Sequence, residues 1–179
     1  MLLALSLSLA GSAGCTPNRP VVAPEAEGLP NFGPAEASVF DDAFSPEVFG
    51  MSLDGARPER DPKLAVRTQE ADSVVRAKVS TVTGDASAAS PSYQLTLVPQ
   101  GDPLSGKAVS EPVEITVPAQ SSSFAYVRAT DASLVSKTVV LFFRRFNDNG
   151  EARTHWHAEA DTAEIKKAVD HAKALEEVR

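Results

Sequence analysis

The chain has 179 residues, 42% of them hydrophobic and 23% charged, with a formal net charge of −7. That is the mixture of one soluble domain with tails, and its acidic balance argues against nucleic acid, whose phosphates are bound through Lys and Arg, and against charge-driven adhesion to anionic lipid. The single cysteine, Cys15, excludes an intrachain disulfide and any Cys-rich zinc module.

The chain opens MLLALSLSLAGSAGCTPNRP. Residues 2–10 carry no charge, and the run is too short for a membrane-spanning helix of about 20 residues. It fits the hydrophobic region of a secretory signal. Ser12, Ala13 and Gly14 then lead to Cys15. This stretch resembles the lipobox of bacterial lipoprotein precursors, which reads Leu, then Ala or Ser, then Gly or Ala, then Cys: Ala13, Gly14 and Cys15 match, with Ser12 where Leu is usual. The resemblance implies a signal peptide over 1–14 and a mature chain beginning at Cys15. Its sulfur would carry a diacylglycerol and its amine an acyl chain. The protein would then be exported to the bacterial cell envelope, lipid-anchored to the inner or outer membrane, because two or more chains hold stably where one does not. The other reading is an ordinary signal cut near Ala13, leaving a free thiol. No Lys or Arg precedes the apolar run, which points to a start further upstream.

Residues 15–37 contain Pro17, Pro20, Pro24, Pro30 and Pro34, with Gly28 and Gly33. That density predicts an extended spacer, reaching about 60 Å at roughly 3.1 Å per residue. Residues 38–63 form a connecting segment, expected to be partly ordered. Phe40 and Phe44 are four apart, on one face of a short helix; they dock on a partner or, the simpler expectation, pack on their own domain. Asp41 and Asp42 read as a solvated helix edge. Residues 54–63 have loop composition.

From 64 to 179 the pattern is that of a β-domain closed by a helix. SVVRAKVSTV puts Val75, Ala77 and Val79 on one face, YQLTLV puts Tyr93, Leu95 and Leu97 there, and VEITV puts Val113, Ile115 and Val117 there. SFAYVRA (123–129) is expected as a strand from its aromatic and β-branched residues. KTVVLFFRRF is apolar on both faces over Val139–Phe143, which predicts a central strand covered on both sides. Arg144 and Arg145 end it; one of them points outward, to a carboxylate or to water. Asn149-Gly150 signals a hairpin, and RTHWHAEA follows as the last strand. Asp161 and Glu164 are spaced as a capping box, and Ile165, Ala168, Val169, Ala172 and Leu175 form one stripe of a terminal helix. The expected fold is mainly β: a small OB-like barrel or sandwich of about six strands with a C-terminal α-helix. The stretches ADSVVRAKV, YQLTLV with PLSG, VEITVP and LVSKTVVLFF resemble the exported OB-like barrels of bacteria, akin to netrin-like modules, which often have Gly where Ser136 stands. The resemblance covers about 75 residues. It implies binding or scaffolding, and it names no ligand.

No motif specifies a reaction. Gly101, Gly106 and Lys107 have the spacing of a phosphate-binding loop, but Ala108 stands where a hydroxyl is needed and no helix follows. There is no Gly-x-Ser-x-Gly elbow and no Ser three residues before a Lys. On a strand, His155, His157 and Glu159 share one face, about 7 Å apart, and Trp156, Ala158 and Ala160 share the other. His155 and His157 could share a metal ion if His171 on the terminal helix approached them. Otherwise Trp156 covers the core and the histidines face water, and no metal or cofactor is expected. The best reading is a lipid-anchored envelope protein with a non-catalytic binding or scaffolding role, the membrane its partner through Cys15, an envelope protein a further one. The alternatives are a solute-binding or accessory lipoprotein of an envelope transporter and, third, a metal-binding enzyme using His155 and His157.

Overall fold

The structure, a computed structural model, describes residues 24–51, 57–85 and 90–177. The signal peptide, Cys15 and the lipobox lie outside the described residues. The elements in chain order are α1 (Pro34–Ala37), β1 (Ala43–Phe44), α2 (Pro62–Glu70), β2 (Ser73–Asp85), β3 (Ser92–Pro99), β4 (Ser105–Gly106), β5 (Val113–Pro118), α3 (Phe124–Leu134), β6 (Thr138–Asp148), β7 (Glu151–Ala160) and α4 (Ala163–Glu177). The protein is mainly β. Its strands form one mixed sheet in the order β1-β7-β6-β2-β3-β5, with β4 pairing β2. β1 runs parallel to β7, and the other strand pairings among the described residues are antiparallel.

Alternation decides which side chains each face buries. Val75, Ala77, Val79, Leu95, Leu97, Ile115, Val117, Val139, Leu141 and Trp156 form one core with Val127 and Leu134 of α3. Val74, Val140, Phe142 and Phe146 form the other with Leu64 of α2 and Ile165, Ala168 and Val169 of α4. β6 is therefore covered on both sides, as its unbroken apolar run predicts. The sheet curls on its first face until the Trp156 Nε1–H donates to the Thr116 carbonyl of β5 at 3.1 Å, although β1 and β5 remain its edges among the described residues. The β6–β7 hairpin turns at Asn149 and Gly150, with φ of 54° and 92°. That is the left-handed pair a two-residue turn demands.

Several local expectations are overturned. Residues 123–129 are not a strand: they belong to α3, whose Val127 and Leu134 plug the curled face. A helix over residues 62–70, at the end of the expected loop, was not anticipated; Asp61 caps it by accepting from the Lys63 amide at 2.8 Å, and Pro62 opens it, where a missing N–H costs nothing. The terminal helix is capped by Thr162, whose Oγ1 accepts from the Ile165 amide at 3.2 Å, and not by Asp161. Asp161 is drawn off by Arg76, at 2.6 Å. Leu175, expected in the buried stripe, is exposed.

The upstream residues differ most from expectation. Residues 24–37 are not a free spacer along their described length. Ala26 is fully buried, the Phe32 amide donates to the Asn147 carbonyl at 2.9 Å, and the Asn147 amide donates to Pro30 at 2.8 Å. The ordered domain thus begins well before residue 64. Phe40 and Phe44 do pack on their own domain, but not on one helical face: Phe40 enters the core under α2 and α4, and Phe44 enters the core under α3. The segment between them crosses the edge of the sheet at β7. The phosphate-loop near-match is explained by packing. Gly106 has φ of 79°, and a Cβ there would overlap the Asp72 carbonyl, so glycine is needed for β4 to reach β2.

Candidate functional site

β7 turns His155, His157 and Glu159 toward the α2/α4 side, as the alternation predicts, but they do not face water. They are 8, 6 and 8% exposed. Residues 31–45 and α2 cover them. The covering segment is fastened through its backbone: the Asp42 amide donates to the Trp156 carbonyl at 2.9 Å and the Ser45 amide to that of Ala158 at 2.8 Å. Its outer edge is closed by Ser123, whose Oγ accepts from the Phe44 amide and donates to the Phe44 carbonyl, and by Ser121 Oγ, which donates to the Asp42 carbonyl. Asp42 has φ of 50°, a left-handed conformation that Asp tolerates better than most residues. That kink breaks the usual alternation, so two consecutive aspartates reach the same face of β7.

Asp41 and Asp42, expected in solvent, each take a histidine. Asp42 Oδ2 lies 2.8 Å from His155 Nδ1, and its Oδ1 accepts from the Trp156 amide at 3.1 Å. Phe32 stacks on the His155 ring at 3.5 Å and 3°. His155 Nε2 is buried without a hydrogen bond, with Asp148 Oδ2 3.7 Å away. His157 is held at both nitrogens: Nδ1 is 2.6 Å from Asp41 Oδ1 and Nε2 is 3.1 Å from Glu159 Oε1. Ionised carboxylates only accept, so both nitrogens must carry protons and the ring is an imidazolium. Arg67 of α2 completes the group, its Nη1 donating to Glu159 Oε1 at 3.2 Å and its Nε to the Val39 carbonyl at 2.7 Å. Two acids and two cations leave the cluster neutral, the condition on which buried charge is tolerated.

The proton affinities follow. Burial works against a charged His157, but its bonds to Asp41 and Glu159 outweigh it, and the ring is held above the ordinary histidine range. Burial raises Glu159 and Asp41; their bonds to His157 and its charge, with the Arg67 charge, bring both below the usual carboxylate range. Asp161, further along, is lowered chiefly by its bond to Arg76.

This cluster forms the floor of a cleft of about 920 Å³. The segment from Asp41 to Glu47 makes one wall, residues 57–67 a second, and Thr162, Glu164 and Ile165 at the start of α4 a third. Phe44, Pro46, Leu64 and Ile165 give it apolar surface, and Ser122 stands at its rim. The Ser45 hydroxyl is buried in the same wall beside Glu159, whose carboxylate it helps hold low.

His171 does not join His155 and His157. It is exposed on α4 and lines a separate shallow hollow with Pro58, Glu59 and Leu175. The nitrogens of His157 are occupied by carboxylates, and among the described residues no group of three or more His, Cys, Asp or Glu is arranged to hold a metal ion. Arg144 pairs with Glu70 at 3.1 Å and lies over the Phe146 ring, while Arg145 is exposed. Asp41, Asp42 and Arg67 were not singled out as site residues from the sequence; only the adjacency of two acids and the HWH alternation hinted at a pairing. Compared with protein-family models, curated proteins and solved structures, the chain matches none.

Proposed function

We propose that this chain is a bacterial lipoprotein, anchored through Cys15, whose domain has a non-catalytic binding role at the cell envelope, and that the cleft over Asp41, Arg67, His157 and Glu159 is where it binds. The observation that carries the reading is the state of the cleft floor. A general base needs a free lone pair and a nucleophile needs a base within hydrogen-bond reach. His157 has both nitrogens protonated and bonded, and no hydrogen bond joins it to Ser45. A neutral, fully paired floor beneath walls that mix apolar side chains with charged ones suits recognition better than proton transfer. The cleft lies within the range of about 300–1,000 Å³ in which small-molecule sites fall, and this favours, as a second reading, a solute-binding or accessory role beside an envelope transporter.

The anchor and the cleft are tested separately. Cys15→Ser is expected to move the protein from the membrane to the soluble fraction; unchanged partitioning contradicts the anchor. For the cleft, the full chain is released gently from its own membranes and weighed by native mass spectrometry. A non-covalent ligand mass is expected, lost in Ser122→Trp, which fills the cleft from an exposed position. A bare chain in both, or a ligand retained in the variant, contradicts the assignment.

A further inference from the structure

We propose that the His157 imidazolium is an ionic latch, which holds the Asp41–Glu47 wall of the cleft on the edge of the sheet and loosens that wall when the ring loses its proton. The inference concerns the cleft described above but rests on the geometry and proton affinities of its floor, whatever the cleft binds and wherever the chain resides.

The charges that face His157 come from three elements: Asp41 from the wall, Glu159 from β7 and Arg67 from α2. A neutral imidazole keeps one N–H. Its bare nitrogen would then confront a carboxylate lone pair, at 2.6 Å or 3.1 Å, and the cluster would hold two acids against one cation. Of the two acids, Glu159 lies near the end of β7 but is held there by its pairing with Val140 of β6, and its side chain is 10% exposed, whereas that of Asp41 is 38% exposed on a short segment. Asp41 is the group that can relax into water, and the wall goes with it. The second rung, His155 between Asp42 and Asp148, ties the same segment one residue on.

The direction is set by linkage. A histidine whose affinity for protons rises on folding contributes stability that is fully present below its unfolded value of about 6.5 and is lost as the pH rises through the folded value. Asp41 and Glu159, held low, contribute stability that is present above the ordinary carboxylate range and lost as the pH falls. The latch is closed between those limits and opens on the alkaline side.

The fold supplies its own reporter. Trp156, the only tryptophan, is fully buried with Phe44 of the wall edge-on at 4.9 Å. Acrylamide quenching of its fluorescence in the full chain, followed from about pH 5.5 to 9.5, is expected to rise about twofold or more in one reversible single-proton step above the ordinary histidine range. His157→Gln is expected to abolish the step, and Asp41→Asn to move its midpoint down. A flat wild-type profile, or the same midpoint in His157→Gln, overturns the latch. If His157→Gln does not fold, an unchanged midpoint in Asp41→Asn, which alters the more exposed partner, overturns it equally.

Discussion

The two faces of β7 are buried to similar degrees by opposite means. On one, Trp156 and Ala158 lie among Phe44, Leu141 and the residues of β5 and α3, all apolar. On the other, His155, His157 and Glu159 are sealed off by charged partners that arrive from elsewhere in the chain: Asp42, Asp41 and Arg67, separated from them in sequence by 113, 116 and 92 residues. The first face needs only shape and hydrophobicity, which many side chains supply. The second needs each partner at hydrogen-bond distance, because a buried charge left alone costs several kcal/mol. The charged face also borders the cleft, so the specific half of the strand and the candidate site coincide.

Substitutions on the two faces should break this comparison in different ways. Trp156→Ala should cost most, about 3–5 kcal/mol in denaturant unfolding, with little dependence on pH between about 5 and 8, since the buried residues it packs among on that face are apolar. Glu159→Gln should cost about 2–3 kcal/mol at neutral pH by leaving His157 and Arg67 short of an acid. Because Glu159 is held low, its contribution is lost as the pH falls, so the gap from wild type should narrow in acid. An equal penalty at every pH would mean that the charge is unimportant. Phe32→Ala removes the ring stacked on His155 and should cost about 1–1.5 kcal/mol. It should also accelerate proteolysis within residues 24–37, while leaving the Trp156 emission unchanged. His171→Ala, on the exposed side of α4, should stay within about 0.5 kcal/mol. A larger effect would mean that it reaches the cluster after all.

What the sequence discloses follows the same division. The apolar face of β7, both faces of β6 and the β6–β7 hairpin are legible, because period-two burial and the Asn149-Gly150 turn are local chemistry. α2 is announced by Asp61 and Pro62, a cap followed by a helix-opening proline, but its stripe of Leu64, Arg67 and Thr68 includes an arginine buried for its partner, which hides the helical period. α3 is misread because Phe124, Tyr126 and Val127 favour strands in isolation; curvature of the sheet, a tertiary property, decides for the helix. Asp161 reads as a cap until Arg76, 85 residues away, is found beside it. The pairing of Asp41 and Asp42 with His157 and His155 is the least legible: nothing near the two aspartates in sequence shows that a left-handed residue turns both of them toward β7.

The central claim is that His157 is a doubly bonded cation rather than a base or a metal ligand, and the ring nitrogens report this directly. In protein labelled with ¹⁵N-histidine, both His157 nitrogens are predicted to show imidazolium chemical shifts at neutral pH, with protons on each and no change on adding a chelator. A neutral ring with one bare nitrogen at that pH, or a nitrogen shift that a chelator alters, would contradict the account.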